Sequence, residues 1–536
     1  MNDKVETDYH IGQDNITPFG LDIHNPVFLI SGLSVIAFVL VSIIFKEQAG
    51  AFFGWLRPAI TSTFDWFFLL SANIFVLFCL LLVLSPMGRI RLGGPDAKPE
   101  FSYLGWFSML FAAGMGIGLM FFGVSEPMSH FSSALAGVTT DAVTGLRTDW
   151  APLNAAVGDT EAARNLAMAA TIFHWGLHPW AIYAVVGLAL AFFSFNHKLP
   201  LTLRSAFYPL LGDRVWGFWG HLIDILAVFA TLFGLTTSLG FGTTQALSGL
   251  NFLFGWGTGS FAIVLLIVVI TAVAISSVVR GLDGGVKILS QLNMILALSL
   301  LCFILIVGPT SDILSAIFGG GLTYLQELIP LSTPFGREDS NFSQGWTSFY
   351  WAWWISWSPF VGMFIARVSK GRTVREFILC VVIVPTLLGI IWMGAFGGTA
   401  ISQVIADASA SVSSAAQELK LFVMVQEFPF SGILSMIGIV LVLVFFITSS
   451  DSGSLVIDSI TAGGKENAPV LQKVFWCSFE GIVAIVLLLV GGSEALNALQ
   501  AMAVSTGLPF TIVLLAMCVS LYIGLKKASD ELQSTP

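Results

Sequence analysis

Residues 346–362 read WTSFYWAWWISWSPFVG, and this stretch decides the fold. Five of the chain's 16 tryptophans lie within its first 12 residues. The segment is long and apolar enough to cross a bilayer as a helix, yet Trp normally concentrates at the ends of such helices. Here the tryptophans are predicted inside the span. At 100° per residue, Trp353, Trp354 and Trp357 share one helix face, whereas Trp351 points elsewhere.

An indole-lined face inside a membrane is an attractive surface for a cation, because the face of each aromatic ring carries negative electrostatic potential. A cation without hydrogen-bond donors, such as a quaternary ammonium or a tertiary sulfonium, suits such a face. A bulky surface for helix packing is the alternative interpretation of this stretch.

The composition indicates an integral membrane protein. Of the 536 residues, 56% are hydrophobic and only 10% are charged, whereas soluble proteins carry about 25% charged residues. Residues 1–26 are polar and acidic and lack the basic segment of a cleaved signal peptide, so we expect a cytoplasmic tail. The five cysteines form no CxxC pair, and they predict neither a disulfide framework nor a zinc site.

Apolar runs of about 20 residues predict twelve membrane spans and an all-α fold. The runs lie near 27–45, 63–85, 101–123, 165–193, 219–240, 258–279, 286–308, 345–367, 374–397, 431–450, 470–491 and 498–524. If both termini are inside, 17 of the 23 Lys and Arg residues fall in inside segments. The positive-inside rule therefore predicts two cytoplasmic termini. We expect an external loop over 124–164 and an interfacial helix over 310–330.

The third predicted span is interrupted by glycines. Residues 111–123 read FAAGMGIGLMFFG, with Gly114, Gly116 and Gly118 at alternate positions. Each glycine costs a helix about 1 kcal/mol relative to alanine. A transporter helix tolerates such a pattern where it unwinds in mid-membrane and presents backbone carbonyls to an ion or a substrate. Close helix packing through small residues is the alternative.

The fourth predicted span carries a second aromatic face. Trp175, Trp180 and Tyr183 project within an arc of about 140° on a helix, and Pro179 is expected to kink that helix. His174 and His178 stand four residues apart and could ligate a metal, but no third ligand accompanies them in the sequence. Hydrogen-bonded packing is therefore the favoured role of these histidines.

The tenth predicted span ends in hydroxyl side chains. Residues 445–453 read FFITSSDSG, and hydroxyl and carbonyl oxygens suit a hard cation such as Na⁺. The chain has no Lys or Arg between Arg214 and Arg280, a range that covers the fifth and sixth predicted spans. No positive side chain in that range therefore replaces an ion. The alternative is that these hydroxyls only satisfy neighbouring helix backbones.

Catalysis inside the membrane is disfavoured. It would need a nucleophile with a base, or clustered carboxylates. Asp224 and Glu480 fall in the fifth and eleventh spans, and the sequence shows no evident ionisable partner for either. A channel is disfavoured as well, since no carbonyl-filter repeat or charged ring is visible.

These stretches together resemble the betaine/carnitine/choline transporter family. The resemblance runs from about residue 20 to 524. It is densest in AAGMGIGLMFFGVSEP (112–127), FHWGLHPWAIYAVVGLALAF (173–192), LPLTLRSAFYPLLGD (199–213) and FYWAWWISWSPFVGMFIARVSKGRTVREF (349–377).

The resemblance implies a leucine-transporter-like fold with a five-plus-five inverted repeat. Two leading helices would occupy 27–100, spans three to seven 101–308, an external segment with the interfacial helix 309–344, spans eight to twelve 345–524, and a cytoplasmic tail 525–536. It also implies a homotrimer, surrounded by lipid in a bacterial inner membrane.

The resemblance also implies the binding residues. The substrate cage would consist of Trp175, Trp180, Tyr183 and Trp354, with Trp353, Trp357 and Met115 also near the substrate. One Na⁺ would be bound by the carbonyls of Ala112, Met115 and Phe445 and the hydroxyls of Thr448 and Ser449. Further candidate ion ligands are Thr231, Ser238 and Phe360. Leu235 stands where a second hydroxyl is expected, so the number of ions stays open.

The expected function is Na⁺-coupled uptake of a betaine-like zwitterion by alternating access, with glycine betaine or dimethylsulfoniopropionate favoured. The family's sodium-independent exchangers carry an Arg in span five, and this chain has none there. A carnitine-like exchanger and a choline carrier are the alternatives. We expect no cofactor besides the coupling ion and no nucleic-acid partner. The short tail predicts uptake that osmotic stress does not strongly activate.

Overall fold

The computed structural model describes residues 7–114, 116–280, 286–408, 410–465 and 467–534, and these residues are mainly helical. The long helices are α1 (Asn25–Ile44), α2 (Lys46–Leu84), α3 (Tyr103–Gly114), α4 (Ile117–Ala136), α5 (Thr160–Trp175), α6 (Leu177–Ala191), α7 (Phe218–Phe254), α8 (Ser260–Arg280), α9 (Val286–Val307), α10 (Thr310–Ser332), α11 (Ser348–Val368), α12 (Val374–Ala406), α13 (Ser431–Thr461), α14 (Val470–Gly491) and α15 (Ala495–Ser534).

Shorter elements connect these helices. A two-stranded antiparallel ribbon, β1 (Asn15–Ile16) and β2 (Ile23–His24), precedes α1. Single helical turns lie at Pro18–Gly20, Pro86–Arg89, Phe192–Asn196, Leu203–Phe207, Tyr208–Leu211, Gly212–Trp216, Ser340–Phe342, Ser343–Thr347, Ser411–Ser414, Gln417–Leu419, Lys420–Val425 and Gly492–Glu494.

Nine helical segments within the described residues are long and apolar enough to cross a membrane. One of them covers α5 and α6, and another covers α14 and α15. Helices α3, α4 and α11 stand where the sequence predicts spans three and eight, but they are not among the nine. The protein is therefore an all-helical, multi-pass membrane protein. The twelve-span count and the inverted repeat stay predictions.

Helix α11, which carries the tryptophan stretch, is central to the packing. It contacts α6, α7 and α15, and also α3. A helix, α10, is present where the sequence predicts an interfacial helix, and it packs against α5 and α12. The predicted external loop begins too early, because α4 continues to Ala136. Ser125, Glu126 and His130 fall in the predicted loop, but they lie in α4 and are buried in the protein interior.

The glycine-rich stretch does interrupt the helix. Helix α3 ends at Gly114, α4 begins at Ile117, and Gly116 between them has an extended backbone (φ −139°, ψ −155°). Close packing occurs at the same place. A Cβ atom on Gly118 would lie 2.7 Å from the ring of Trp175 and 3.0 Å from that of Trp353. The predicted break and the alternative of close packing are thus both present, and the presentation of carbonyls to an ion or a substrate stays a prediction.

A second interruption separates α5 from α6 at Gly176, whose backbone is not helical (φ −103°, ψ −127°). The sequence predicts a kink at Pro179, and the chain instead breaks three residues earlier. The proline ring clashes with the carbonyl four residues before it, which belongs to Trp175, so a regular helix cannot continue through this point.

A buried ion pair joins the segment after α6 to helix α7. The Nε atom of Arg204 lies 2.5 Å from Oδ2 of Asp224, and the Arg204 backbone N–H donates to Oδ1 at 3.1 Å. His24 and His221 each place a ring nitrogen 3.3 Å from Nη1 of Arg204. The expectation that Asp224 lacks an ionisable partner was wrong, because the tertiary fold provides Arg204.

Candidate functional site

The structure brings the four predicted cage residues together. Trp354 of α11 has its ring centroid 5.2 Å from that of Trp175, 5.2 Å from that of Tyr183 and 6.3 Å from that of Trp180. All four side chains are buried. The Trp175 and Tyr183 rings meet Trp354 edge to face, an arrangement that aromatic pairs favour. Trp354 is therefore the ring that the other three share.

These rings line a cavity with about 350 Å³ of empty space, its opening included. Its lining consists of Gly116, Ile117, Gly118, Trp175, Tyr183, Ser238, Trp353, Trp354 and Trp357. Gly116 belongs to the interruption between α3 and α4, and Gly118 lies in the first turn of α4, so backbone without side chains forms one part of the wall. The cavity thus joins an aromatic surface to a non-helical backbone segment.

Trp180 does not line this cavity. Its ring packs edge to face on Tyr183, with 5.6 Å between the centroids, and lies at a tilt beside Trp354. It thus contacts two rings of the predicted cage, and its part in substrate binding stays a prediction.

Two indole N–H groups attach the cage to α7. Trp353 donates to the Ser238 hydroxyl at 3.2 Å, and Trp357 donates to the Gly234 carbonyl at 2.8 Å. Trp351, which the helix geometry directs elsewhere, stacks on His178 with 5.4 Å between the ring centroids. The predicted division of the tryptophans on α11 is confirmed.

The predicted Na⁺ ligands Phe445, Thr448 and Ser449 lie in α13. The Thr448 hydroxyl donates to the carbonyl oxygens of Val444 at 2.9 Å and Phe445 at 3.3 Å. Its proton is thereby occupied, and the oxygen lone pairs can still face a hard cation. These donors fit Na⁺. Ala112 lies in α3, and Met115 lies outside the described residues, so Na⁺ binding stays a prediction.

The further ion-ligand candidates also make contacts within the protein, and their part in ion binding stays a prediction. The Thr231 hydroxyl donates to the Ala227 carbonyl at 2.7 Å, and Ser238 accepts from the cage tryptophan described above. Phe360 meets Trp357 edge to face at 5.5 Å. Leu235 fills the place of the expected second hydroxyl and packs on Gly453 of α13, where an added Cβ would be 2.1 Å from its side chain.

The sequence analysis missed Glu126, a fully buried residue of α4. Its Oε1 lies 2.6 Å from Nδ1 of His174 and 3.2 Å from Nε2 of His130. Its Oε2 accepts from the Tyr350 hydroxyl at 2.5 Å and from Nε1 of Trp175 at 2.8 Å. We expected an external loop at this position. A carboxylate that directly follows an apolar run was the available signal, since such residues are costly unless they serve a function.

Glu126, His130 and His174 have ligand-type atoms that all lie within 4.8 Å of one another, as a metal site requires. Their contacts are hydrogen-bond distances, however, and the second ring nitrogen of His174 lies 2.9 Å from the Thr347 hydroxyl. His178 instead contacts the side-chain oxygen of Asn73 at 3.0 Å. The two histidines of α5 and α6 therefore have separate partners, and the favoured hydrogen-bonding role applies to both.

Comparison with known proteins agrees with this architecture. Residues 26–530 match the family model described as betaine/carnitine/choline family transporter. A glycine betaine/proline/choline transporter of Vibrio parahaemolyticus is 62% identical, over 97% of this chain and 94% of the relative. Glycine betaine transporter 1 of the same organism is 54% identical, over 97% of each chain. A glycine betaine transporter of Acinetobacter baylyi is 41% identical, over 95% of this chain and 74% of the relative. The chain is thus a transporter rather than an enzyme, and it belongs to the betaine/carnitine/choline transporter family.

Proposed function

We propose that this transporter imports a betaine-like solute whose methylated cationic group binds in the cage around Trp354. The contact of Trp354 with Trp175 and Tyr183 is the observation that carries the proposal. The faces of indole and phenol rings carry negative potential, so a methylated cation that packs against these faces is attracted to them. Glycine betaine is the favoured substrate, because relatives at 62% and 54% identity are named as glycine betaine transporters. Dimethylsulfoniopropionate and choline offer similar cationic groups.

Coupling to Na⁺ is the second part of the proposal. The oxygen donors of α13 suit Na⁺, and α7 contains no Lys or Arg that would replace it. One Na⁺ entering down about −100 mV contributes roughly 2.3 kcal/mol, and a tenfold Na⁺ gradient adds about 1.4 kcal/mol. Together these would support roughly 500-fold accumulation of a solute with zero net charge. A single ion is enough for useful uptake.

A second cavity supports an alternating-access mechanism. Its lining includes Arg57, Trp150, Trp346 and Glu494, and it also reaches Phe122. The Phe122 ring lies 5.9 Å from that of Trp353 and 6.3 Å from that of Trp175. A thin aromatic layer thus stands between this cavity and the cage. We propose that movement of this layer admits the solute from the outside.

Uptake into proteoliposomes tests the function. Radiolabelled glycine betaine, choline, proline, carnitine and dimethylsulfoniopropionate are supplied outside, with either Na⁺ or K⁺. We expect Na⁺-dependent uptake with preference for glycine betaine. Uptake that ignores Na⁺ and appears only with solute preloaded inside would instead establish a sodium-independent exchanger. The homotrimer, the inner-membrane location and the cytoplasmic termini remain predictions from the sequence.

A further inference from the structure

The carboxylate of Glu126 is fully hydrogen-bonded although it is buried. A carboxylate has about four lone-pair positions, and four donors surround this one: two histidine rings, the Tyr350 hydroxyl and the Trp175 indole. His174 can donate through Nδ1 to Glu126 and accept through Nε2 from Thr347. Hydrogen bonds from several donors are what a buried carboxylate needs in order to stay ionised.

This network reaches the cage through one ring. Trp175 donates its only N–H to Glu126, and its ring lies 5.2 Å from Trp354 in the cavity wall. Tyr350 stands behind it, edge to face with Trp175 at 5.6 Å. A hydrogen bond to an ionised group is about twice as strong as a neutral one. The carboxylate therefore restrains the plane of the Trp175 ring from the side opposite the cavity.

The negative charge of Glu126 also favours the binding of a cation in the cavity. Within the protein interior a charge is screened less than in water, and here a single indole separates it from the cavity. A carboxylate bonded to the indole N–H also makes the ring face more negative. Both effects favour a cation against that face.

We propose that Glu126 is a positioning residue of the cage, which orients Trp175 and strengthens the attraction of its ring for the substrate cation. This inference rests on the proposed transport of a methylated cation. It assigns to Glu126 an effect on substrate affinity that acts through Trp175, rather than a role in holding the helices together.

A double-mutant cycle tests the proposal in proteoliposomes, with the variants Glu126→Gln, Trp175→Phe and both together. Gln cannot accept four hydrogen bonds, and Phe keeps a ring without an N–H. We expect each single variant to raise the KM for glycine betaine about tenfold with less than a twofold change in maximal rate. The KM of the double variant should not exceed the higher of the two single-variant KM values, because the effects of coupled residues are not additive.

Two further variants complete the design. Glu161→Gln removes a carboxylate at the exposed start of the same helix that ends in Trp175, where the Glu161 side chain is 77% exposed, and should leave the KM unchanged. Glu126→Asp keeps the charge but withdraws it by one methylene, and should give a KM between those of the native protein and Glu126→Gln. If Glu126→Gln does not fold, the cycle is run with Glu126→Asp, and an unchanged KM in that variant overturns the proposal.

The outcomes separate this inference from the function on which it rests. An unchanged KM in Trp175→Leu, which has no aromatic ring, would exclude the cage, and with it the proposed substrate recognition. A raised KM in Trp175→Phe beside an unchanged KM in the Glu126 variant would overturn the Glu126 inference alone. Effects that multiply in the double variant would show that Glu126 does not act through Trp175.

Discussion

At the scale of single residues, the site is defined by the contacts between its aromatic rings. Trp354 contacts three aromatic side chains from α5 and α6, whereas its neighbour Trp353 is attached to α7 through Ser238. Removal of Trp354 should therefore weaken the binding of a cation in the cavity more than removal of any other of these rings. The surrounding rings would also lose the surface on which they pack.

Replacement of Trp354 by Leu tests this dependence. A desolvated cation–π contact is worth about 2 kcal/mol, which corresponds to roughly a 30-fold rise in KM for glycine betaine. Trp354→Phe keeps a ring and should raise KM less. Trp55 is 62% exposed on α2, and Trp55→Leu serves as the control. An unchanged KM in Trp354→Leu would exclude the cage, and the readout is the initial rate of uptake at varied glycine betaine.

Thr448 tests the proposed ion ligands at the same scale. Thr448→Ala removes an oxygen that would face Na⁺, so we expect the half-saturating Na⁺ concentration to rise about tenfold. The matched control is Thr63→Ala on α2, because Thr63 is exposed and its hydroxyl also donates to a carbonyl one turn earlier, at 2.8 Å. Equal Na⁺ dependence in both variants would count against ion binding at α13. Uptake measured at varied external Na⁺ decides between these results.

At the scale of elements, two interrupted helices meet at the cage. Gly116 ends the regular structure between α3 and α4, and Gly176 does so between α5 and α6. The first interruption supplies backbone to the cavity wall, and the second directs Trp175 and Trp180 to different positions around Trp354. Breaks in two adjacent helices are therefore a part of the site's construction.

Gly118→Ala tests the close approach at the first interruption. The new methyl group would meet the rings of Trp175 and Trp353 at 2.7 Å and 3.0 Å, which is closer than packed atoms normally come. We expect the rings to shift and the KM for glycine betaine to rise at least tenfold. Gly105→Ala in α3 is the control, since its nearest neighbouring atom would be at 3.4 Å. The prediction fails if both variants transport like the native protein.

At the scale of the whole molecule, one charged pair joins separate segments of the chain and another organises a loop. Arg204 lies between α6 and α7 and contacts His24 at the end of the N-terminal ribbon as well as Asp224 in α7. A second pair, Arg147 and Asp149, organises the loop between α4 and α5, where Arg147 also donates to the carbonyl oxygens of Ala151 and Leu153.

Asp224→Asn should destabilise the protein strongly, because it leaves the buried Arg204 guanidinium without a charged partner. Loss of one member of a buried pair costs about 3–5 kcal/mol. Replacement of both members, in Arg204→Met with Asp224→Leu, should recover part of that loss, since apolar substitutes need no compensating charge. Thermal unfolding in detergent gives the comparison. A double variant less stable than Asp224→Asn would contradict this account.

The loop pair makes a prediction about pH. Burial favours a raised pKa for Asp149, but hydrogen bonds from the Arg147 guanidinium and from backbone N–H groups outweigh it and lower the pKa to about 2. A lowered pKa stabilises the fold above the ordinary value of 3.8, and this stabilisation is lost as pH falls from there towards 2.

The difference in Tm between the native protein and Asp149→Asn should therefore stay constant from pH 8 to pH 5 and narrow only below about pH 4. The exposed Asp96 provides the control variant Asp96→Asn, which should match the native protein throughout. A difference that already shrinks between pH 7 and pH 5 would mean that Asp149 is not held by Arg147.

The local patterns of the sequence were sufficient for the membrane class, for the glycine interruption and for the shared helix face of Trp353, Trp354 and Trp357; the substrate cage stays a prediction. Each of these depends on neighbours a few positions apart: the length of an apolar run, the spacing of glycines, and the 100° step that places Trp353, Trp354 and Trp357 within one arc of a helix. The resemblance of four motifs added the family, which the comparison with known proteins confirmed.

The tertiary structure alone decided which distant groups meet. Tyr350 donates to Glu126 across 224 positions of sequence, and Asp224 finds Arg204 in a separate segment. The chain breaks at Gly176 rather than bending at Pro179, and Trp180 packs edge to face on Tyr183. Periodicity describes one helix at a time, whereas the partners of a buried charge or ring depend on how several helices pack, and no local pattern contains that information.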